Sequence, residues 1–124
     1  MVIDSKTLVS DGGTLELICN DANWCQLSLR VQQNEYRLGA EVRQIVVSRL
    51  IQGLDEHLPP ATAGMIAGIH VCWVCSLAEG HYSIYAADHA GRRCLFFQDP
   101  SGNLAAKLEL SGMERLSWLA QLAG

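Results

Sequence analysis

Residues 70–81 read HVCWVCSLAEGH, a Cys-x-x-Cys pair with a histidine on either side. That is the composition of a zinc site or a thiol redox site. Zinc is held by four nitrogen or sulfur ligands at tetrahedral corners, and Cys-x-x-Cys serves it when a tight turn brings both sulfurs to one ion. The four ligands here would be His70, Cys72, Cys75 and His81. Between the cysteines, however, stand Trp73 and Val74, with no glycine or polar turn residue, inside an apolar run rich in β-branched side chains. In a regular strand over 69–77, rising about 3.3 Å per residue, the two cysteines point to opposite faces with Cα atoms roughly 10 Å apart. A disulfide needs less than about 7 Å, so shared chemistry would require a bulge. Thioredoxin-type reactivity places the first cysteine at a helix N-terminus, where the dipole lowers its pKa, and nothing after Cys72 starts a helix. The motif therefore reads as a packed strand, and no metal and no cofactor is assigned.

A second constellation follows. Asp88, His89, Arg92, Arg93 and Asp99 gather in the second half of the chain. An Asp/His acid–base pair with arginines to hold an anion could move protons on a small ligand. With His70 and His81, the residues Asp88, His89, Arg92 and Arg93 form the candidate ligand-binding set. The structural alternative is plain: Asp, His, Gly and Arg are what a solvated hairpin tip contains, and Gly-Arg-Arg at 91–93 fits one. No nucleophile elbow, phosphate-cradling glycine loop or zincin helix motif accompanies them, so no catalytic residue is named. Asp55, Glu56 and His57 follow the main helix, where His suits the negative end of the helix dipole.

The elements that must position these residues can be read from hydrophobic period. In "TLELIC" Leu15, Leu17 and Cys19 alternate with more polar positions, and "CQLSLRV" sets Cys25, Leu27, Leu29 and Val31 on one side. A period of two marks half-buried strands of an antiparallel sheet. With "NDANW" as the turn, Cys19 stands opposite Cys25 on the inward face, and in a reducing compartment the expectation is a packed thiol pair. From about Tyr36 to Leu54 the period becomes helical through Leu38, Val42, Ile45, Val46, Leu50 and Leu54. Val47 and Ile51 widen that stripe and offer a second surface, for example to another subunit. The segment "DEHLPPATAG" breaks the chain. Strands are then predicted in "MIAGIHVCWVCSLA", "HYSIYAAD", "CLFFQ" and "LAAKLEL", with a tight turn at "DPSG". The last helix opens with a capping box, Ser111 and Glu114, and takes Met113, Leu116, Leu119 and Leu122 as its apolar stripe, with Trp118 beside it.

The fold expected is α+β: one antiparallel sheet of about five to seven strands with two helices packed on one face, in the order strands, helix, strands, helix. At 124 residues the whole chain, 1–124, reads as a single domain able to bury its own core. Composition is 49% hydrophobic, yet no run approaches the roughly 18 apolar residues of a membrane span. The N-terminus has an early acid and no apolar h-region, so the chain is expected to be soluble and cytoplasmic.

Nine Lys and Arg against thirteen Asp and Glu give a net charge of −4, and the basic residues are spread thinly. A nucleic-acid binder needs a concentrated basic face, so neither nucleic acid nor an anionic membrane is an expected partner. The stretch from Cys94 to Leu122, strand, Asp/Gly turn, strand ending in Leu-Ser, helix, resembles the end of Whirly-like single-strand-binding domains over about a quarter of the chain. The resemblance implies single-stranded nucleic acid as a ligand, but only Lys107 stands where those families use basic residues. The functional expectation is a non-catalytic protein-binding or assembly module, a homodimer, with a protein partner as a further possibility. The alternatives are a small-ligand binder or small enzyme built on His70, His81, Asp88 and His89, and a single-stranded nucleic-acid binder.

Overall fold

The structure, a computed structural model, describes residues 4–21, 23–58, 64–80 and 82–124. Four strands, β1 (Asp4–Ser10), β2 (Gly13–Cys19), β3 (Trp24–Val31) and β4 (Asn34–Val42), form an antiparallel meander. Helix α1 (Arg43–Leu54) follows. A second antiparallel meander contains β5 (Gly64–Ile66), β6 (Ile69–Ser76), β7 (Ser83–His89), β8 (Arg92–Gln98) and β9 (Leu104–Leu110), and α2 (Gly112–Ala123) comes last. The described chain is thus α+β and mostly sheet. It has two sheets of four and five strands where one of five to seven was expected.

The discrepancy has three sources, the first being that the apolar run from Met65 to Ala78 holds a short hairpin of β5 and β6 in place of one strand. The segment around Asp4–Ser10 is an additional strand that caps the edge of β2, with Leu8 buried opposite Leu15. The segment from Tyr36 to Val42, expected to start the helix, belongs to strand β4 (Asn34–Val42). Leu38 and Val42 are four residues apart, the spacing of a helix face, and the bulge that leaves Leu38 without a partner between the Leu27–Gly39 and Ser28–Arg37 pairs breaks the alternation that would have marked a strand. The helix begins only at Arg43, whose amide donates to the carbonyl of Asn23 at 2.7 Å in place of a side-chain cap.

The larger core lies between the inner faces of the two sheets and is completed by the helices, while Val71, Ala87, Cys94 and Phe96 form a smaller buried cluster on the other face of the second sheet. Leu15, Leu17, Leu27 and Leu29 meet Ile84, Leu95, Phe97 and Leu108, with Val46, Leu50 and Leu54 of α1 and Trp118 and Leu122 of α2. Cys19 and Cys25 face each other there as the turn composition predicted. They are joined as a disulfide, which corrects the expected thiol pair.

The sheets touch at one seam. Ala40 of β4 exchanges backbone hydrogen bonds with Glu79 beyond β6, at 2.9 and 3.0 Å. The approach is possible because Gly39 (φ +126°) and Gly80 have no side chains.

Long-range cations close the helix ends. A helix leaves its last carbonyls without partners, and α1 has no basic residue in its last turn. Arg93 of β8 donates to the carbonyls of Gly53 (2.7 Å) and Glu56 (3.2 Å), and Arg115 of α2 donates to that of Leu54 (2.6 Å). At the other helix, Lys6 of β1 donates to the Gln121 carbonyl at 2.8 Å. The capping box of α2 forms as predicted: Ser111 Oγ accepts from the Glu114 amide, and Glu114 Oε1 accepts from that of Ser111. The same carboxylate also accepts from the amide of Asp11, tying the β1–β2 turn to α2.

Candidate assembly surface

The Cys-x-x-Cys pair does lie in a strand, but that strand is bulged. Cys72 pairs with Ala86 and Cys75 with Ile84, so Val74 is the extra residue and the two cysteines share the inward face. Val74 packs against the Cα of Gly53, where a Cβ would lie 2.9 Å from its methyl. Both thiols are buried, as is Cys94. Among the described residues no group of three or more His, Cys, Asp or Glu side chains could hold a metal ion. His81 lies outside the described residues.

Burial raises the pKa of all three thiols, and Cys75, further disfavoured by the nearby Glu41 carboxylate, is pushed up to about 11. The sign of the consequence is fixed. Above pH 9 the unfolded chain releases the Cys75 proton while the folded chain keeps it, so stability falls as pH rises from 9 towards 11. The expected loss is on the order of 2 kcal/mol for this thiol, read from urea midpoints between pH 8 and 10.5. Cys75→Ala should flatten that slope, and an unchanged slope would show that other groups cause it.

The remaining candidates separate. Asp88 and Arg93 are cross-strand neighbours, as are His89 and Arg92, but the strand alternation puts the two pairs on opposite faces. Arg92 and His89 are exposed on the outer face with Glu109, whose carboxyl is held below its usual range chiefly by the hydrogen-bonding Lys107 ammonium. His70 is exposed on β6 opposite Met65. Arg93 is only 4% exposed, which corrects the solvated-tip reading. Its Nε donates to Asp88 Oδ1 at 2.7 Å and its other nitrogens hold the end of α1.

Arg93→Met is therefore expected to cost about 2–4 kcal/mol, because buried helix carbonyls lose a charged donor. Asp88→Asn should cost under about 1 kcal/mol, since that carboxylate is mostly in water. Urea denaturation of both variants checks this; equal effects would mean the Asp88 ion pair, rather than the helix end, is what Arg93 serves.

Two concavities and one helix face bear on function. On the outer face of the first sheet a shallow trough of about 510 Å³ is lined by Glu16, Gln26, Ser28, Glu35, Arg37 and Glu79. All but Glu79, which lies beyond β6, are outward positions of the first sheet's strands, with charges of both signs, as a solvated antiparallel face requires.

The second feature is a groove of about 320 Å³ between α1 and the end of α2. Val47, Ile51 and Leu122 give it an apolar lining, and Lys6, Arg43 and Gln44 stand around them. Arg43 is paired with Asp4.

The third is the outward face of α2. Met113 is 84% and Leu116 58% exposed, and Gly112, Ser117, Ala120, Gln121 and Ala123 are exposed with them. No charged residue stands among these positions, because Glu114 is drawn in by the capping box and Arg115 by the end of α1. This overturns the first half of the predicted stripe of α2, whereas Leu119 and Leu122 do face the core. The buried direction is set by Trp118 and Leu122, and Met113 and Leu116 point away from it. The sequence did carry a signal: Trp118 is the largest apolar side chain of the helix, and positions 111, 114, 115, 118 and 122 share its arc.

Compared with protein-family models, with curated proteins and with solved structures, the chain shows no match.

Proposed function

We propose that this protein is a non-catalytic protein-binding or assembly module that works as a homodimer. The observation that carries the reading is the outward face of α2, two large apolar side chains and small neutral ones on a chain whose net charge is −4. Surface helices normally spend that face on charge. An exposed Met and Leu without a charge between them is area available for burial against a partner. Among the described residues the three thiols are buried, Asp88 and Arg93 lie on the face opposite His89 and Arg92, and no helix is long and apolar enough to cross a membrane.

The test is the mass of the untagged chain by light scattering and by native mass spectrometry across a concentration series. A dimer that dissociates on dilution is expected. A monomer at every concentration would remove the reading, and a retained zinc ion or small molecule would turn attention to a ligand-binding role. The compartment follows from Cys19 and Cys25: their disulfide fits an oxidising environment, two thiols would fit the cytoplasm expected from the sequence, and thiol titration of freshly isolated protein decides.

A further inference from the structure

Going beyond assembly and not resting on it, we propose that the groove between α1 and the end of α2 binds a free straight-chain carboxylate of about eight to ten carbons. Its head group lies against Lys6 and Arg43, and its chain lies along Val47, Leu122 and Ile51, all of which line the groove.

The groove is polar at one end and apolar along its length because the two helices beside it run antiparallel. Arg115, near the start of α2, holds the Leu54 carbonyl at the end of α1, so the end of α2 returns to the start of α1. Lys6 and Arg43 stand at that return, the first donating to the Gln121 carbonyl and the second to Asp4. Val47 and Ile51 follow about one and two turns further along α1, both half-buried, and the buried Leu122 closes the floor.

Charge decides the head group. Among the described residues no carboxylate side chain lines the groove, although the chain carries a net charge of −4. Asp4 neutralises Arg43, whereas Lys6 meets a neutral carbonyl, which leaves one cation in surplus at the mouth. The positive end of α1, with no acidic residue in its first turn, offsets the negative end of α2 beside it. An ammonium has three N–H donors, and two remain for an anion. One surplus charge at the mouth of an apolar slot is complementary to an amphipathic monoanion, and a doubly charged head group would exceed it. Length decides the tail. From Arg43 to Ile51 the helix rises about 12 Å, which an extended chain of C–C bonds of about 1.5 Å covers in roughly nine bonds. The volume of about 320 Å³ stands at the small end for ligand pockets.

Calorimetric titration and amide NMR of the full chain with hexanoate, octanoate, decanoate and dodecanoate test the site. Decanoate is expected to bind with a Kd on the order of 1 mM and to shift the amides of Lys6, Arg43, Val47 and Ile51. Affinity should rise about two- to fourfold per methylene up to decanoate and then level off, because the lining ends at Ile51. Lys6→Gln should weaken decanoate about tenfold, while Arg30→Gln, which removes an exposed cation of the first sheet, should leave it unchanged. Amide shifts outside the groove report that both variants keep the parent fold. No binding, affinity that climbs evenly through dodecanoate, or equal losses in the two variants would each overturn the site. Every one of these readings is independent of whether the chain is a monomer or a dimer, so the assembly reading stands or falls separately.

Discussion

One methyl group added at Gly39 is expected to destabilise the fold by about 3–4 kcal/mol. Two effects combine. Gly39 has φ +126°, outside the range in which L side chains are comfortable. Its Cβ would also lie 1.6 Å from the Glu79 carbonyl oxygen and 3.1 Å from the Cα of Gly80. The obstacle is backbone and cannot rotate away. Relief requires opening the Ala40–Glu79 pairing that joins the sheets. Gly91→Ala separates the two effects, because Gly91 also has positive φ (+76°) but nothing within 4 Å of a Cβ. It should cost only about 1 kcal/mol. Urea midpoints of the two variants measure the difference, and equal values would mean that the seam contributes nothing beyond local strain.

Trp118→Ala is expected to cost about 3–5 kcal/mol, the range for emptying a large aromatic site in a packed core. The indole is fully buried, and its Nε1 donates to the carbonyl of Val9 at 2.9 Å. It joins α2 to β1 by both packing and hydrogen bonding. Trp118→Phe keeps most of the volume and loses the donor, so about 1–3 kcal/mol is expected for the orphaned carbonyl. Fluorescence supplies a second reading. Trp24 and Trp73 are 39% and 43% exposed, so the blue-shifted part of the emission belongs to Trp118. Trp118→Phe should shift the folded spectrum to the red; an unmoved spectrum would place Trp118 in a wetter environment than the core.

The pattern of successes and failures in the sequence follows physical ambiguity. The hairpin of β2 and β3 was legible because Cys25, Leu27 and Leu29 alternate with polar residues, and its inward face came out as expected; Ala22 of the expected turn lies outside the described residues. Strand β4 was illegible because the bulge at Leu38 breaks its period of two while the four-residue spacing of Leu38 and Val42 fits a helix. The stripe assigned to α2 ran at intervals of three. At about 100° per residue, Met113 and Leu122 are roughly half a turn apart, so one in the core puts the other in water. The bulge at Val74, which reverses the relation of Cys72 to Cys75, depends on the close fit to Gly53 and leaves no trace in local sequence. Of the candidate residues, Arg93 was singled out for its charge. Its engagement is with a helix end forty residues earlier, which only the folded topology reveals.

That engagement bears on how the chain acquires its shape. The two halves look like successive modules, strands and then a helix, and might be expected to form one after the other. Yet the carbonyls that end the first helix are satisfied by Arg93 and Arg115, groups 40 and 61 residues further along the chain. Until β8 and α2 are in place, that helix terminus has only water for a partner, and a twelve-residue helix on its own is marginal. The first half is thereby denied a finished state of its own, and nucleation must recruit contacts of high sequence separation. A growing chain emerging from the ribosome would hold an incomplete first module until Arg93 and Arg115 have been made and can reach that helix end.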